Sequence, residues 1–285
     1  MDRVAALTKI NSLTQNFLSC TMDLKIKDKK AFVSGSTAGI GYAIAKRLLM
    51  EGAQVIINGR TQAGVDQAVA ELKSSTGNMQ VSGITADFSK AEEVNRLVAQ
   101  LPDIDILINN AGIFEPKAFE DIPDEDWYRL FEINVMSGIR LSRHVFPRML
   151  AKNWGRVIFI SSESAIAVPS EMIHYGMTKT AQLSISRGMA ELTRGTGVTV
   201  NSILPGPTKS RGIVGFIDDL SKTADTTTDQ VETDFFKNMR PNSILQRFAS
   251  VEEVADTTVY YCSPLAAATN GAAIHVEGGL IKTIY

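Results

Sequence analysis

The stretch of sequence that decides the fold is KKAFVSGSTAGIG, at residues 29–41. Its β-forming and apolar residues predict a strand over 29–34, and the apolar spacing from Ile40 onward predicts a helix over 40–50. Gly35, Gly39 and Gly41 lie in between, where a backbone without Cβ atoms can approach a ligand closely. One interpretation of such a loop is a tight turn that binds no ligand. Between a strand and a helix, however, it predicts a dinucleotide site, because amide groups at a helix start attract phosphate.

The rest of the chain continues this alternation of strand and helix. Strands are predicted over 54–58, 80–86, 104–109, 156–161, 198–204 and 272–276, and helices over 62–74, 91–101, 124–152, 174–194 and 250–262. Unbroken apolar strands that alternate with helices indicate a parallel sheet covered on both faces. Right-handed crossovers make such a sheet doubly wound. We therefore expect a single α/β domain of the Rossmann type over 22–285, with helices on both faces.

Composition excludes several classes of protein. The chain has 285 residues, 44% of them hydrophobic and 21% charged, with a net charge of −2. This balance gives no reason to expect nucleic acid or a membrane as partner, and no apolar run approaches the roughly 20 residues of a membrane span. Cys20 and Cys262 have no metal-ligand spacing, so no metal is expected. So few cysteines favour the reducing cytoplasm.

Residues 1–21 differ from the rest of the chain. They are rich in Ser and Thr, with Arg3 and Lys9 against the single acid Asp2. A short targeting segment is one interpretation, but a continuous apolar region and a convincing cleavage site are missing. We favour a loosely ordered extension that is dispensable for folding and activity.

Further motifs follow the glycine loop in a fixed order. They are Asn109-Asn110-Ala111-Gly112, Asn134 within FEINV, Ser162 after the fifth strand, Tyr175-Gly176-Met177-Thr178-Lys179, and Pro205-Gly206-Pro207-Thr208. Over about residues 22–280 this ordered set resembles the short-chain dehydrogenase/reductase family. Ser34 stands where that family usually has threonine, and because the hydroxyl is kept we expect little loss.

The resemblance implies four catalytic residues: Asn134, Ser162, Tyr175 and Lys179. Tyr175 is the acid/base, Ser162 hydrogen-bonds the substrate oxygen, and Asn134 holds a water that links Lys179 to solvent. Tyr175 and Lys179 are four residues apart and share one helix face. An ammonium group ~4 Å from the phenol is worth ~4 kcal/mol at an effective dielectric constant of 20, or about three pKa units. We therefore expect Lys179 to lower the pKa of Tyr175. Taken singly, the two residues could be a packed tyrosine and a solvated lysine.

The expected cofactor is NADP(H), with NAD(H) possible. Arg60 follows the second strand where an acid would favour NAD, and its guanidinium suits a 2′-phosphate. A solvated arginine is the alternative. Asp87 matches the family's acid at the adenine amino group, or it is simply a helix N-cap. The expected cofactor-binding residues are Gly35, Ser36, Thr37, Gly39, Ile40, Gly41, Arg60, Asp87, Phe88, Asn110, Ala111, Gly112, Tyr175, Lys179, Pro205, Gly206 and Thr208.

These features predict an oxidoreductase that interconverts a small carbonyl compound and its alcohol. Residues 207–246 are expected to form a mobile lid over the substrate, or else a plain solvated insertion. A non-catalytic dinucleotide-sensing protein on the same fold is the alternative function. We also expect a homo-oligomer, a tetramer or a dimer. The outer faces of the helices at 124–152 and 174–194 commonly pair in the family, and the apolar chain end at 274–281 would otherwise be exposed.

Overall fold

Parallel strands form one continuous sheet in the computed structural model, which describes residues 22–223 and 226–284. Within these residues the seven strands are β1 (Lys30–Val33), β2 (Gln54–Gly59), β3 (Val81–Thr85), β4 (Ile106–Asn109), β5 (Gly155–Ile160), β6 (Val198–Pro205) and β7 (Ala273–Val276). Their order across the sheet is β3-β2-β1-β4-β5-β6-β7, and every neighbouring pair is parallel. The chain therefore reverses its winding direction between β1 and β4, where such sheets bind ligands. The predicted extension at 1–21 lies outside the described residues.

Helices connect the strands and cover both faces of the sheet. They are α1 (Gly39–Met50), α2 (Gln62–Thr76), α3 (Ala91–Gln100), α4 (Asp124–Phe131), α5 (Ser137–Ala151), α6 (Ile173–Glu191), α7 (Arg211–Thr223), α8 (Thr228–Asn238) and α9 (Val251–Tyr261). Local signals set several of the ends. Thr61 caps α2 by accepting from the amide of Gly64, and α9 begins with a capping box between Ser250 and Glu253.

Alternate residues of each strand face opposite layers of helices. In β1, Ala31 and Val33 pack into one apolar core with side chains of α1, α2 and α9, whereas Phe32 packs into a second core with side chains of α3, α5 and α6. Both faces of the strand are thus buried, as its unbroken apolar sequence predicted. The two cores hold the sheet between layers of helices, so the loops at the carboxyl ends of the strands start from fixed positions.

The helix predicted over 124–152 is interrupted. A five-residue π-helix, Glu132–Met136, lies between α4 and α5, so the predicted helical region is confirmed but is not a uniform α-helix. The wider turn carries Asn134, whose side chain is hydrogen-bonded to other segments, and π-turns often occur at functional sites. Helical periodicity alone does not reveal such a turn, because the hydrogen bonds of Asn134 are made to segments outside the helix.

The chain end is less exposed than expected. Leu280 and Ile281 are only 7% and 8% exposed, so the prediction that they form an uncovered apolar edge was wrong. The carboxylate of Glu277 accepts hydrogen bonds from the amides of both residues and folds them inward. Glu277 thus has a structural role.

The segment at 207–246, predicted as a lid, contains α7 and α8. Ile217, Phe236 and Phe248 form a small apolar cluster of their own there, apart from the two main cores. Across the parts of the chain that the structure describes, no helix is both long and apolar enough to cross a membrane. In those same parts, no group of three or more His, Cys, Asp or Glu side chains is arranged to hold a metal ion.

Candidate active site

The glycine-rich loop at 34–41 follows β1 and is tied to β2 beside it. The amide of Gly35 donates to Oδ1 of Asn58 at 3.1 Å, and the amide of Ser36 donates to the Asn58 carbonyl at 2.8 Å. In return, the Asn58 amide donates to Oγ of Ser36 at 2.9 Å, and Thr37 packs against the last residue of β2. Buried Asn58 therefore shapes the loop. The role of Asn58 was not predicted from the sequence, although a polar residue near the end of an apolar strand is a recognisable signal.

The loop opens directly into the start of α1. Gly39, Ile40 and Gly41 form the first turn, and Ala38 before them provides no side-chain cap. First-turn amides have no partner within their own helix, so these three can bind an anion. Gly39 has a φ of +60°, and a Cβ atom at Gly41 would lie only 2.4 Å from Nδ2 of Asn110. This uncapped turn fits the pyrophosphate of a dinucleotide.

The loop after β4 packs against the glycine loop. Oγ of Ser34 accepts from the amides of Asn110 at 2.9 Å and Ala111 at 3.0 Å, and Nδ2 of Asn110 donates to the Ser34 carbonyl at 2.9 Å. The hydroxyl of Ser34 thus joins the two loops. A Cβ atom at Gly112 would lie 3.5 Å from Nζ of Lys179, so this loop also borders the expected catalytic residues.

Arg60, Asp87 and Phe88 lie at the ends of β2 and β3. Arg60 is exposed directly after β2. Burial raises the pKa of Asp87, but hydrogen bonds from Ser89 and the positive charges of Lys90 and Arg60 outweigh it and hold the pKa below its usual value. Lys90, not Asp87, occupies the N-cap position of α3, so the N-cap interpretation of Asp87 was wrong. Phe88 is buried in the core, which leaves its backbone as the part that can meet a ligand.

The third loop of this edge follows β6. Pro205 is the last residue of β6, and the amide of Gly206 donates to the carbonyl of Val276 at 3.1 Å. Oγ1 of Thr208 donates to the Gly206 carbonyl at 2.8 Å. A Cβ atom at Gly206 would lie 2.7 Å from Cα of Glu277, so the loop passes close to the chain end. The expected cofactor residues therefore all lie at the carboxyl edge of the sheet or on α6 above it.

Ser162, Tyr175 and Lys179 are brought together beyond β5. Ser162 follows the strand, and its Oγ donates to Oε2 of Glu163 at 2.5 Å. Tyr175 and Lys179 are one turn apart on α6, with Nζ of Lys179 5.6 Å from the centre of the Tyr175 ring. Nζ also donates to the carbonyl of Ile160 at 2.9 Å. The neighbouring Ser161 has a structural contact, because its Oγ donates to the main-chain carbonyl of Lys179 at 2.9 Å.

Burial governs the acidity of these groups. It raises the pKa of Tyr175, and the nearby charge of Glu163 raises it further, whereas the hydrogen bond between Tyr175 and Ser162 lowers it. Burial lowers the pKa of Lys179 to about 8, with Glu163 acting in the opposite direction. The chain by itself therefore does not bring the pKa of Tyr175 down as expected from Lys179, because desolvation of the phenolate is the larger effect.

Asn134 reaches Lys179 through a residue that the sequence analysis missed. Nε2 of Gln182 donates to the Asn134 carbonyl at 2.6 Å, and Oε1 of the same side chain accepts from Nζ of Lys179 at 3.3 Å. The Asn134 side chain is occupied by the main chain of Ile113 and by Oγ1 of Thr178. The amide of Gln182 thus connects the main chain of Asn134 to Lys179, while the water link from Lys179 to solvent stays a prediction. The position of Gln182 three residues after Lys179, on the same helix face, was the available signal.

Comparisons with known proteins identify a family model, related sequences and solved structures that are similar to this chain. A family model described as short chain dehydrogenase matches residues 29–216. The "uncharacterized oxidoreductase YvrD" of Bacillus subtilis (strain 168) is 49% identical over 266 residues, which cover 92% of this chain and 100% of YvrD. The D-beta-hydroxybutyrate dehydrogenase of Rhizobium meliloti (strain 1021) is 31% identical over 255 residues, covering 88% and 98%. L-sorbose reductase from Gluconobacter frateurii, crystallised with NADPH and L-sorbose, aligns with a TM-score of 0.86 at 30% identity, covering 92% and 100%. This alignment confirms the expected fold.

Replacing Gln182 by leucine is expected to lower both stability and turnover. The buried carbonyl of Asn134 would lose its donor, at a cost of about 1–3 kcal/mol in the free energy of unfolding. Lys179 would lose one of its acceptors, which should reduce kcat. Urea unfolding and steady-state kinetics measure the two effects. Ser186→Ala is the matched control, because Oγ of Ser186 is buried on the same helix without a hydrogen-bond partner among the described residues. A Gln182→Leu protein as stable and as active as the control would contradict this role.

Proposed function

The chain belongs to the short-chain dehydrogenase family, and we propose that it is an NADP(H)-dependent oxidoreductase that interconverts a small carbonyl compound and its alcohol. One observation carries this proposal. Ser162, Tyr175 and Lys179 converge beside the uncapped first turn of α1 and the loop at 109–112, so a proton donor and a dinucleotide site share one edge of the sheet.

The residues of this edge fit the cofactor. The first-turn amides of α1 would hold the pyrophosphate, Asp87 the adenine amino group and exposed Arg60 the 2′-phosphate, while the loops after β4 and β6 would flank the nicotinamide end. When bound, NADP(H) supplies or accepts the hydride. The NADPH in the L-sorbose reductase structure supports the same cofactor here. NAD(H) remains a second, weaker cofactor in this proposal, because Ala38 adds no basic group to the loop.

The protein's own groups handle the proton. In carbonyl reduction, Ser162 hydrogen-bonds the carbonyl oxygen and the Tyr175 hydroxyl donates its proton to that oxygen while the carbon is reduced. The raised pKa of Tyr175 keeps the phenol protonated, which is the form that this step requires. Lys179, whose pKa is lowered to about 8, exchanges protons near neutrality and is placed to reprotonate Tyr175. A purely dinucleotide-sensing protein would have no need of this set.

The remaining proposals concern the surroundings of the site. We propose that residues 207–246 close over the substrate as a lid on the single domain at 22–285, because α7 and α8 pack with Phe248 in an apolar cluster separate from the two main cores. We also propose a cytoplasmic location. It is supported by the buried free thiol of Cys262, which a reducing compartment maintains.

Tyr175→Phe is expected to reduce kcat by about 100-fold or more while leaving the dissociation constant of NADPH nearly unchanged. The substitution removes only the proton donor, and positioned proton transfer contributes about 10²–10⁴-fold. Stopped-flow kinetics and NADPH fluorescence titration measure the two quantities. Tyr128→Phe, at an exposed position on α4, is the control. Retention of most of the activity in the Tyr175 variant would exclude the acid/base assignment.

Arg60→Ala is expected to lower kcat/KM with NADPH by about 10-fold or more and to leave kcat/KM with NADH nearly unchanged. A hydrogen bond to a charged group is worth about 1.5–3 kcal/mol, and only NADPH carries the 2′-phosphate. Arg96→Ala removes an equal charge from the exposed face of α3 and serves as control. A wild-type preference for NADH that is unchanged in Arg60→Ala would refute the proposal.

In solution we expect a homo-oligomer, either a tetramer or a dimer. Apolar side chains are exposed on α4 and just beyond α6, where Tyr128, Phe131 and Leu192 are 73%, 38% and 66% exposed. A two-fold axis would bury such a patch against its own copy. Sedimentation equilibrium at micromolar concentration measures the mass. A single species with the mass of one chain would reject this expectation.

A further inference from the structure

A buried acid lies directly beside the hydroxyl that is proposed to bind the substrate oxygen. Glu163 is only 7% exposed, and its Oε2 accepts from Oγ of Ser162. Its charge also acts on Tyr175 and Lys179. Burying a carboxyl group is costly unless its partners compensate it fully. Here burial raises the pKa of Glu163 in spite of Ser162 and Arg240, so compensation within the chain is incomplete.

The same carboxyl group lines a small pocket. Its volume is about 250 Å³, and the turn at 163–171 borders it on one side, while Met239–Asn242 and Leu280 border it on the other. Pockets for drug-sized ligands measure about 300–1,000 Å³, so this one suits a smaller molecule. Half of its lining is polar, contributed by Glu163, Ser170, Glu171, Arg240 and Asn242. The pocket therefore suits a small, polar compound, and Glu163 connects it to Ser162 through their hydrogen bond.

The pocket contains two acidic side chains and one basic side chain. Arg240 is mostly buried, and both of its Nη atoms donate to Oε1 of Glu171, at 3.3 and 3.2 Å. Nη1 donates to the Met239 carbonyl as well. Glu163 adds a second acid near the same guanidinium. An anionic substrate would meet more acid than free base here, whereas hydroxyl groups can donate to the carboxylates and accept from the guanidinium and amide.

We propose that Glu163 and the Glu171–Arg240 pair form the substrate subsite, and that the substrate is a neutral polyhydroxylated ketone or the matching polyol. In this arrangement Glu163 accepts a hydrogen bond from the hydroxyl on the carbon next to the reacting carbonyl, which places that carbonyl against Ser162. The Glu171–Arg240 pair binds the hydroxyls further along the molecule. The inference rests on the proposed carbonyl–alcohol chemistry and adds its substrate class.

Matched ketones test this subsite on the full-length chain with NADPH. Hydroxyacetone, butanone and acetoacetate carry a hydroxyl, a methyl or a carboxylate group at the same position, and fructose represents the polyhydroxylated ketones. We expect kcat/KM for hydroxyacetone to exceed that for butanone by at least ~100-fold, because sites built around a hydroxyl strongly reject analogues that lack it. Acetoacetate should be no better than butanone, and fructose at least as good as hydroxyacetone.

Two variants connect the preference to Glu163. Glu163→Leu should reduce the ratio of the kcat/KM values of hydroxyacetone and butanone by at least ~10-fold. Glu163→Gln, which keeps the shape of the side chain, should reduce the same ratio less, and it serves alone if the leucine variant does not fold. The NADPH dissociation constant should be unchanged in both. Glu120→Gln replaces an exposed acid of the same type and should leave the ratio as in wild type.

The results distinguish a failure of the proposed subsite from a failure of the proposed function. Butanone or acetoacetate as the best wild-type substrate, or a ratio unchanged in the Glu163 variants, would overturn the subsite while carbonyl reduction stands. If no ketone is turned over, the proposed function fails, and calorimetry of sorbitol with the chain saturated by NADP⁺ decides the subsite. Sorbitol binding that Glu163→Gln weakens at least ~10-fold would support it, and no binding to wild type would overturn it.

Discussion

The buried ammonium group of Lys179 is the constraint on which the catalytic edge depends. Burial disfavours the charged form and lowers its pKa to about 8, so nearby oxygen atoms that accept from the ammonium group help to stabilise it. The Ile160 carbonyl and Oε1 of Gln182 supply two of them. The first belongs to the end of β5 and the second to α6. The ammonium group therefore fixes the separation of strand and helix, and with it the position of Tyr175 relative to Ser162.

The same hydrogen bonds continue from the candidate catalytic residues to the loops that are proposed to bind the dinucleotide. Gln182 donates to the carbonyl of Asn134, and the Asn134 side chain both donates to and accepts from the main chain of Ile113, at 2.9 and 2.8 Å. Ile113 directly follows the loop that Ser34 holds against the glycine turn. Because these groups are buried and mutually bonded, a displacement at one end would leave polar atoms unpaired at the other.

Most features that depend on neighbouring residues in the sequence could be predicted, whereas features that depend on distant residues could not. Apolar runs, the glycine spacing and the helix signals are local, and they predicted the sheet, its covering helices and the edge that carries the motifs. Asn58, Gln182 and the π-turn at Glu132–Met136 were missed, because each depends on a partner far along the chain. The chain end was misjudged for a different reason: Glu277 folds it inward through local bonds to the amides of Leu280 and Ile281, which hydrophobic periodicity does not encode.

In the proposed subsite, Glu163 would couple substrate recognition to proton transfer. Its charge raises the pKa of Tyr175 and also that of Lys179, so it favours the protonated form of both groups. A phenol that stays protonated is the better donor to a carbonyl oxygen, while a hydrogen bond from a substrate hydroxyl would stabilise the carboxylate of Glu163 and preserve that effect. A buried acid whose charge is not fully compensated is unfavourable for folding. Such departures from the usual rules of stability are expected at functional sites. The acid beside Ser162 is therefore best explained by what it does for the bound substrate.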